Sequence, residues 1–108
     1  MVISFSVKQA RDQLLEKGYV YTFRWHERKH IGKDWANSGR TTSKIADVNI
    51  ELVGELRMLP GSLTPYVEGS GFSSLEEWYA TCLRMNDLNW HGFLYKVHLI
   101  ATKKEEVS

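Results

Sequence analysis

The 108-residue chain has one cysteine and no long apolar run, and each of these absences excludes some classes of protein. Its single cysteine, Cys82, excludes an internal disulfide and a cysteine-rich zinc site, and is typical of the reducing cytosol. No apolar run approaches the roughly 20 residues that a membrane-spanning helix needs. The first residues do not follow the signal-peptide pattern, because the charges of Lys8 and Arg11 come early. We therefore expect a cytoplasmic protein without a membrane partner.

A large net charge is also missing. Fourteen Lys and Arg residues against thirteen Asp and Glu residues give +1, so the total charge does not indicate a partner. Apolar material is present: 43% of the residues are hydrophobic and 12% are aromatic, which is enough for a core. At this length we expect one domain over residues 1–102, followed by a disordered tail over residues 103–108.

Two helices are predicted by apolar residues at helical spacing. The first covers residues 7–17 and is closed by Gly18, which suits the left-handed position after a helix. The second begins at Ser73, which forms a capping box with Glu76, and its apolar stripe includes Cys82 as a buried structural thiol.

Strands dominate the remainder of the sequence. They are predicted over residues 2–5, 19–25, 48–52, 55–59 and 93–101, with a bulge or bend at Gly54, a turn at Pro60 and Gly61, and an irregular connection over residues 63–71. Residues 26–43 lack periodicity and are rich in turn formers, which predicts a long loop. This order of elements predicts an α+β domain built on a small, curved, barrel-like sheet with two main helices.

Positive charge and flat aromatic groups are concentrated in residues 22–44. These residues hold six of the fourteen Lys and Arg, two of the four tryptophans and only two acids, so they carry +4 while the rest of the chain sums to −3. Cations neutralise phosphates through counterion release, and tryptophans offer surfaces on which unpaired bases stack. The nucleic-acid contacts expected here are Arg24, Arg28, Lys29, Lys33, Arg40 and Lys44 for the backbone, with Trp25 and Trp35 for the bases.

Two other interpretations of this segment stay open. Each tryptophan taken alone is more typical of a residue that plugs the end of a sheet. Exposed tryptophans are also compatible with a module that binds protein. The salt dependence of binding separates these classes, because a hydrophobic contact weakens little as salt is added.

The same segment matches the zinc-protease pattern H-E-x-x-H at His26, Glu27 and His30. In zinc proteases this spacing lies on a helix, so that both histidine rings face one metal ion. Here the pattern follows a strand-forming run, and Arg28 and Lys29 would place two cations beside the metal. We expect two solvated histidines and no cofactor, with a zinc hydrolase as a minor alternative.

A few polar residues outside this segment are also candidates. Trp90 and His91 are compatible with either a pocket mouth or a packed turn. Glu51 and Glu55 lie near the middle of the predicted sheet. If either points inward, it needs a partner such as Arg24, in a structural clasp or a catalytic dyad.

Taken in order, several short motifs resemble the ASCH domain of the PUA-like superfamily. They are the first helix with its closing glycine, the run Tyr21-Thr22-Phe23-Arg24, a strand opening at residues 44–48, a helix from Phe72 and a closing strand from Gly92. The resemblance covers residues 2–101. Thr22 and Arg24 match the end of the family's G-x-K-x-x-T-x-R pattern, and Asp47 matches the aspartate of a later turn, with Ala46 in place of its glycine.

This resemblance implies a small β-barrel with a cleft between barrel and helices, and binding of RNA or a modified nucleoside. Some ASCH proteins are amidohydrolases that deacetylate N4-acetylcytidine with a lysine, a threonine and a glutamate. Thr22 matches the threonine and Glu68 stands near the place of the glutamate, whereas Tyr19 or Val20 occupies the place of the lysine.

Residues and resemblance together predict a protein that binds RNA or single-stranded nucleic acid without doing chemistry. Thr22 and Arg24 would line the cleft, and the basic loop would form its rim. The alternative is an amidohydrolase that acts on a modified nucleoside such as N4-acetylcytidine through Thr22 and Glu68.

Overall fold

The structure is a computed structural model that describes residues 2–5, 7–24, 27–39, 44–57, 60–85 and 91–102. The candidates Trp25, His26, Arg40 and Trp90 and the predicted tail over residues 103–108 lie outside these ranges. The strands within the described part are β1 (Val2–Ser4), β2 (Tyr19–Arg24), β3 (Gly32–Asn37), β4 (Ala46–Arg57) and β5 (His91–Thr102). The helices there are α1 (Lys8–Lys17), α2 (Pro60–Leu63), a 3-10 helix (Thr64–Gly69) and α3 (Leu75–Met85).

The strands form one curled sheet in the order β1-β3-β4-β5-β2. β1 and β3 are parallel, and the other neighbouring strands are antiparallel. β1 and β2 are the two edge strands, and α1 connects them along the chain. The curled sheet forms half a barrel whose open side lies between these two edges. The predicted α+β class and curved sheet are confirmed. None of the helices in the described ranges is long and apolar enough to cross a membrane.

β3 shows that the prediction of a loop over the whole of residues 26–43 is wrong. It lies between β1 and β4, and Trp35 is opposite Val2 on one side and Asp47 on the other. The segment lacks the apolar alternation that marks a strand, but its two neighbours supply partners for its backbone N–H and C=O groups. Trp35 therefore lies on an inner strand of the sheet.

β4 is one strand where the sequence predicts two. It follows β5 along its whole length, and its register shifts between Leu52 and Gly54, which confirms the predicted irregularity at Gly54. The predicted turn at Pro60 and Gly61 is instead the beginning of the four-residue helix α2.

The capping box of α3 lies one residue later than predicted. The N–H of Glu77 donates to Ser74 Oγ at 3.1 Å, so Ser74 is the capping residue. The hydroxyl of Ser73 instead donates to the Glu77 carboxylate at 3.0 Å. The run from Ser73 to Glu77 contains the S-x-x-E pattern twice, and the pattern alone does not choose between the two.

Two apolar cores lie on the two faces of the sheet. The inner face carries the larger core, which consists of Ile3, Phe5, Leu14, Val20, Ala36, Ala46, Val48, Ile50, Tyr95 and Val97. The outer face carries the smaller core, which consists of Phe23, Leu63, Trp78, Cys82 and Leu94. α1 contributes to the inner core, whereas α2 and α3 contribute to the outer core, so that β2 and β5 are covered on both faces.

Candidate functional site

Arg24, the last residue of β2, lies across the open side of the half-barrel. Thr22 and Arg24 share the inner face, because Thr22 is opposite the buried Tyr95 in the register of β2 and β5. Nε of Arg24 donates to Thr22 Oγ1 at 3.0 Å, and Nη2 donates to the carbonyl oxygen of Ser4 on β1 at 3.0 Å. The guanidinium also lies over the ring of Phe5, 5.6 Å from its centroid. Thr22 and Arg24, which the sequence predicts to line a cleft, thus lie on one face of the sheet and are hydrogen-bonded to each other.

The charge of Arg24 has no carboxylate opposite it in the described part of the chain. Its hydrogen-bond acceptors there are a hydroxyl and a carbonyl oxygen, which are uncharged. The pKa of Arg24 is lowered from its ordinary value to about 10, mainly by burial and secondly by the charge of Arg28, while Cys82 and Tyr95 oppose the shift. The side chain is therefore charged at neutral pH, although its surroundings disfavour the charge.

Arg28 is bound to the sheet through both its backbone and its side chain. Its N–H donates to the hydroxyl of Tyr95 at 2.6 Å, and its Nε donates to the carbonyl oxygen of His30 at 3.2 Å. Its Nη2 forms an ion pair with Asp34 at 3.0 Å, and the two side chains are 14% and 2% exposed. Arg28 thus places a second, largely enclosed guanidinium beside Arg24, and Asp34 balances the charge of Arg28.

The other predicted cations that the structure describes are spread over the surface. Lys29, which precedes β3, and Lys33, which belongs to β3, are both exposed. Lys44 forms an exposed ion pair with Asp47 at 3.0 Å. Among the loop cations that the structure describes, Arg28 is the one whose charge lowers the pKa of Arg24. Trp35 is half-buried within the sheet.

The residues of the zinc-protease pattern that the structure describes are not helical. Glu27 and His30 lie in the irregular segment between β2 and β3, and Nε2 of His30 is 2.8 Å from the carbonyl oxygen of Lys33. The spacing that would aim two rings at one metal ion needs a helix. Among the described residues there is also no group of three His, Cys, Asp or Glu that could hold a metal ion.

Thr22 and Glu68, the pair that the amidohydrolase alternative needs, lie on different sides of β2. Thr22 is on the inner face, while Glu68 belongs to the exposed part of the 3-10 helix. That helix packs on the outer face, where the ring centroids of Tyr21 and Tyr66 are 5.0 Å apart. The amidohydrolase alternative stays a prediction without a contact between its two residues.

A second polar group, Glu55 and His91, lies at the same end of the sheet as Arg24. Phe93 of β5 is opposite both Arg24 on β2 and Glu55 on β4. His91 Nε2 is hydrogen-bonded to Glu55 Oε2, and the ring of His91 meets that of Phe93 edge-on at 5.6 Å between centroids. Glu55 therefore pairs with a histidine and not with Arg24. No local signal in the sequence connects Glu55 with His91, because the contact depends on the register of β4 and β5.

Cys82 is a buried thiol, as the sequence predicts. Burial raises the pKa of Cys82 from 9.0 to about 12, and the charge of Arg24 partly opposes this. A thiol in this state is protonated at neutral pH and is a poor nucleophile.

Comparison of the chain with protein-family models, with curated proteins and with solved structures found no match. The resemblance to the ASCH domain therefore stays a prediction.

Proposed function

We propose that the protein binds RNA or single-stranded nucleic acid at the end of the half-barrel around Arg24, without doing chemistry. The observation that carries this proposal is the charge of Arg24, which is partly enclosed and has no carboxylate partner among the described residues. Arg28, whose own charge is balanced by Asp34, adds to the positive potential there.

A phosphate group is the ligand chemistry that suits this arginine. A charge removed from water is costly unless an opposite charge and hydrogen bonds compensate it. A guanidinium presents five N–H donors in a planar fork that matches two phosphate oxygens, and the two hydrogen bonds within the protein leave donors for a ligand. A bound phosphate would therefore supply the compensation that the protein itself does not.

The surroundings favour a polyanion over a single small anion. Lys29, the residue after Arg28, and Lys33, on β3, are both exposed, and each cation near a nucleic-acid backbone releases counterions on binding. Residues 22–44 as a whole carry +4. A chain of phosphates would use this distributed charge, whereas one phosphate would use only Arg24.

The test is a fluorescence titration of labelled single-stranded RNA at several salt concentrations. The unaltered protein should bind with an affinity that falls as salt rises. Arg24→Met should weaken binding and reduce the slope of log K against log salt by roughly 0.7, the value for one phosphate contact on a single strand. Arg84→Met removes the same charge from an exposed position on α3, and this control should leave binding nearly unchanged.

Two outcomes would contradict the proposal. One is RNA binding that is absent, or present but insensitive to salt, in a protein whose circular dichroism shows a folded state. The other is an equal loss of binding in Arg24→Met and Arg84→Met, which would show that only total charge matters.

A further inference from the structure

Three side chains form a row across three strands at the end of the sheet. Phe93 is opposite Arg24 on one side and opposite Glu55 on the other, so all three side chains share the inner face. Neighbouring strands lie about 4.8 Å apart, which places the Cα atoms of Arg24 and Glu55 roughly 10 Å from each other. A cationic end and an anionic end are thus separated by an aromatic ring.

His91 holds the carboxylate of Glu55 in place. Nε2 of His91 is hydrogen-bonded to Glu55 Oε2. The imidazole also meets the ring of Phe93 edge-on, with an angle of 74° between the planes. A carboxylate has about four acceptor sites and His91 uses one of them. Glu55, with 58% of its side chain exposed, can therefore accept further N–H groups from a ligand.

We propose that this row binds one guanine nucleotide unit, with the phosphate on Arg24, the base against Phe93 and His91, and the edge of the base on Glu55. The proposal rests on the proposed function and names the base that the same site reads. A phosphate at one end, a ring contact in the middle and a base edge at the other end follow the order of groups in a nucleotide.

Guanine is selected by the chemistry of a carboxylate acceptor. Among the four bases of RNA, guanine alone presents two neighbouring N–H donors on its Watson–Crick edge, and these fit the two oxygens of one carboxylate. Adenine and cytosine place a ring nitrogen with a lone pair beside their amino group, which repels a carboxylate. Uracil has a single N–H between two carbonyl oxygens. Sequence-specific proteins read single-stranded bases at these edges.

The test is a competition in which 5′-GMP, 5′-AMP or guanosine displaces the labelled RNA. We expect 5′-GMP to displace the RNA at a concentration roughly tenfold or more lower than 5′-AMP does, which is within the range for one good bidentate contact. Glu55→Gln should remove this preference, because an amide places an N–H against the donors of guanine. It should leave the advantage of 5′-GMP over guanosine, because that advantage depends on Arg24.

The chain offers a matched control in Glu51. This glutamate lies on the same strand and is also paired with a histidine, His98, at 3.1 Å. It is 59% exposed but points to the outer face, opposite Lys96. Glu51→Gln removes the same charge and should keep the preference for 5′-GMP.

The results distinguish this inference from the proposed function. Equal competition by 5′-GMP and 5′-AMP would overturn the guanine site, and so would a Glu55→Gln variant that still prefers 5′-GMP. Salt-sensitive RNA binding that depends on Arg24 could persist in either case, and the proposed function would then stand alone. Loss of the guanine preference in Glu51→Gln as well as in Glu55→Gln would also overturn the site.

Discussion

Arg28 and Asp34 form an ion pair at 3.0 Å in which the carboxylate side chain is only 2% exposed. Asp34 belongs to β3, and Arg28 belongs to the segment that connects β2 with β3. The pair therefore joins the connecting segment to the sheet, and the bond from the N–H of Arg28 to Tyr95 joins it to the inner core. Through these contacts the fold fixes a second positive charge next to Arg24.

Removal of one partner of this pair should strongly destabilise the fold. Asp34→Ala would leave the guanidinium of Arg28 enclosed without its counter-charge, at a cost of about 3–5 kcal/mol in the free energy of unfolding. Urea denaturation measures this cost. Asp47→Ala breaks the exposed pair with Lys44, whose side chains are 42% and 45% exposed, and should cost about 1 kcal/mol or less. Equal losses in the two variants would contradict the difference in burial.

Arg24→Met should have little effect on stability, in contrast to its effect on RNA binding. The substitution removes two hydrogen bonds, but Ser4 is exposed, so water can replace the donor at its carbonyl oxygen. It also removes a charge whose pKa is lowered by burial. We expect the free energy of unfolding to change by no more than about 1 kcal/mol, because the two effects oppose each other. A loss of about 3 kcal/mol in thermal or urea unfolding would instead identify Arg24 as a structural clasp.

The buried thiol of Cys82 should make the fold sensitive to alkaline pH. Its pKa is raised from 9.0 to about 12, so folding favours the protonated thiol. This contribution to stability is fully present below pH 9 and is lost as pH rises from 9 towards 12. Urea unfolding at about pH 8 and about pH 10.5 should show a smaller loss for Cys82→Ala than for the unaltered protein. The same loss in both proteins would contradict the assignment to this thiol.

Gly71 should be intolerant of any side chain. Its φ is 90°, a left-handed conformation that favours glycine, and a Cβ there would overlap the backbone carbonyl of Gln9 on α1. Gly71→Ala should therefore lower the free energy of unfolding by about 2 kcal/mol or more. Gly61→Ala is the control, because a Cβ at that position meets nothing within 4 Å. Similar thermal midpoints for the two variants would show that α1 can move away.

Elements with a strong local signal in the sequence agree with the structure. α1 ends at Gly18, whose φ is 87° and whose N–H donates to the carbonyl oxygen of Leu14 at 3.0 Å, as the glycine at this place predicts. The alternation in β2 places Thr22 and Arg24 on one face. β3 has no such local signal, because its stability comes from pairing on both sides and not from its own pattern of apolar residues.

The candidate site shows the same division. The bias of residues 22–44 towards positive charge is enough to identify Arg24 and Arg28 as candidates. It does not show that Asp34 neutralises Arg28, because an acid six residues away along the chain meets it only after β3 takes its place in the sheet. It also does not connect Glu55 with His91, which are thirty-six residues apart.

The α+β class, the turn chemistry at Gly18 and the face that Thr22 and Arg24 share all follow from sequence patterns with periods of a few residues. Which charges are compensated depends instead on how the strands come together. Arg28 and Arg24 have the same side chain and lie four residues apart, yet one pairs with a buried carboxylate and the other meets only uncharged acceptors among the described residues. Strand register and sheet curvature set these distances, and the energy of a charge depends on what surrounds it.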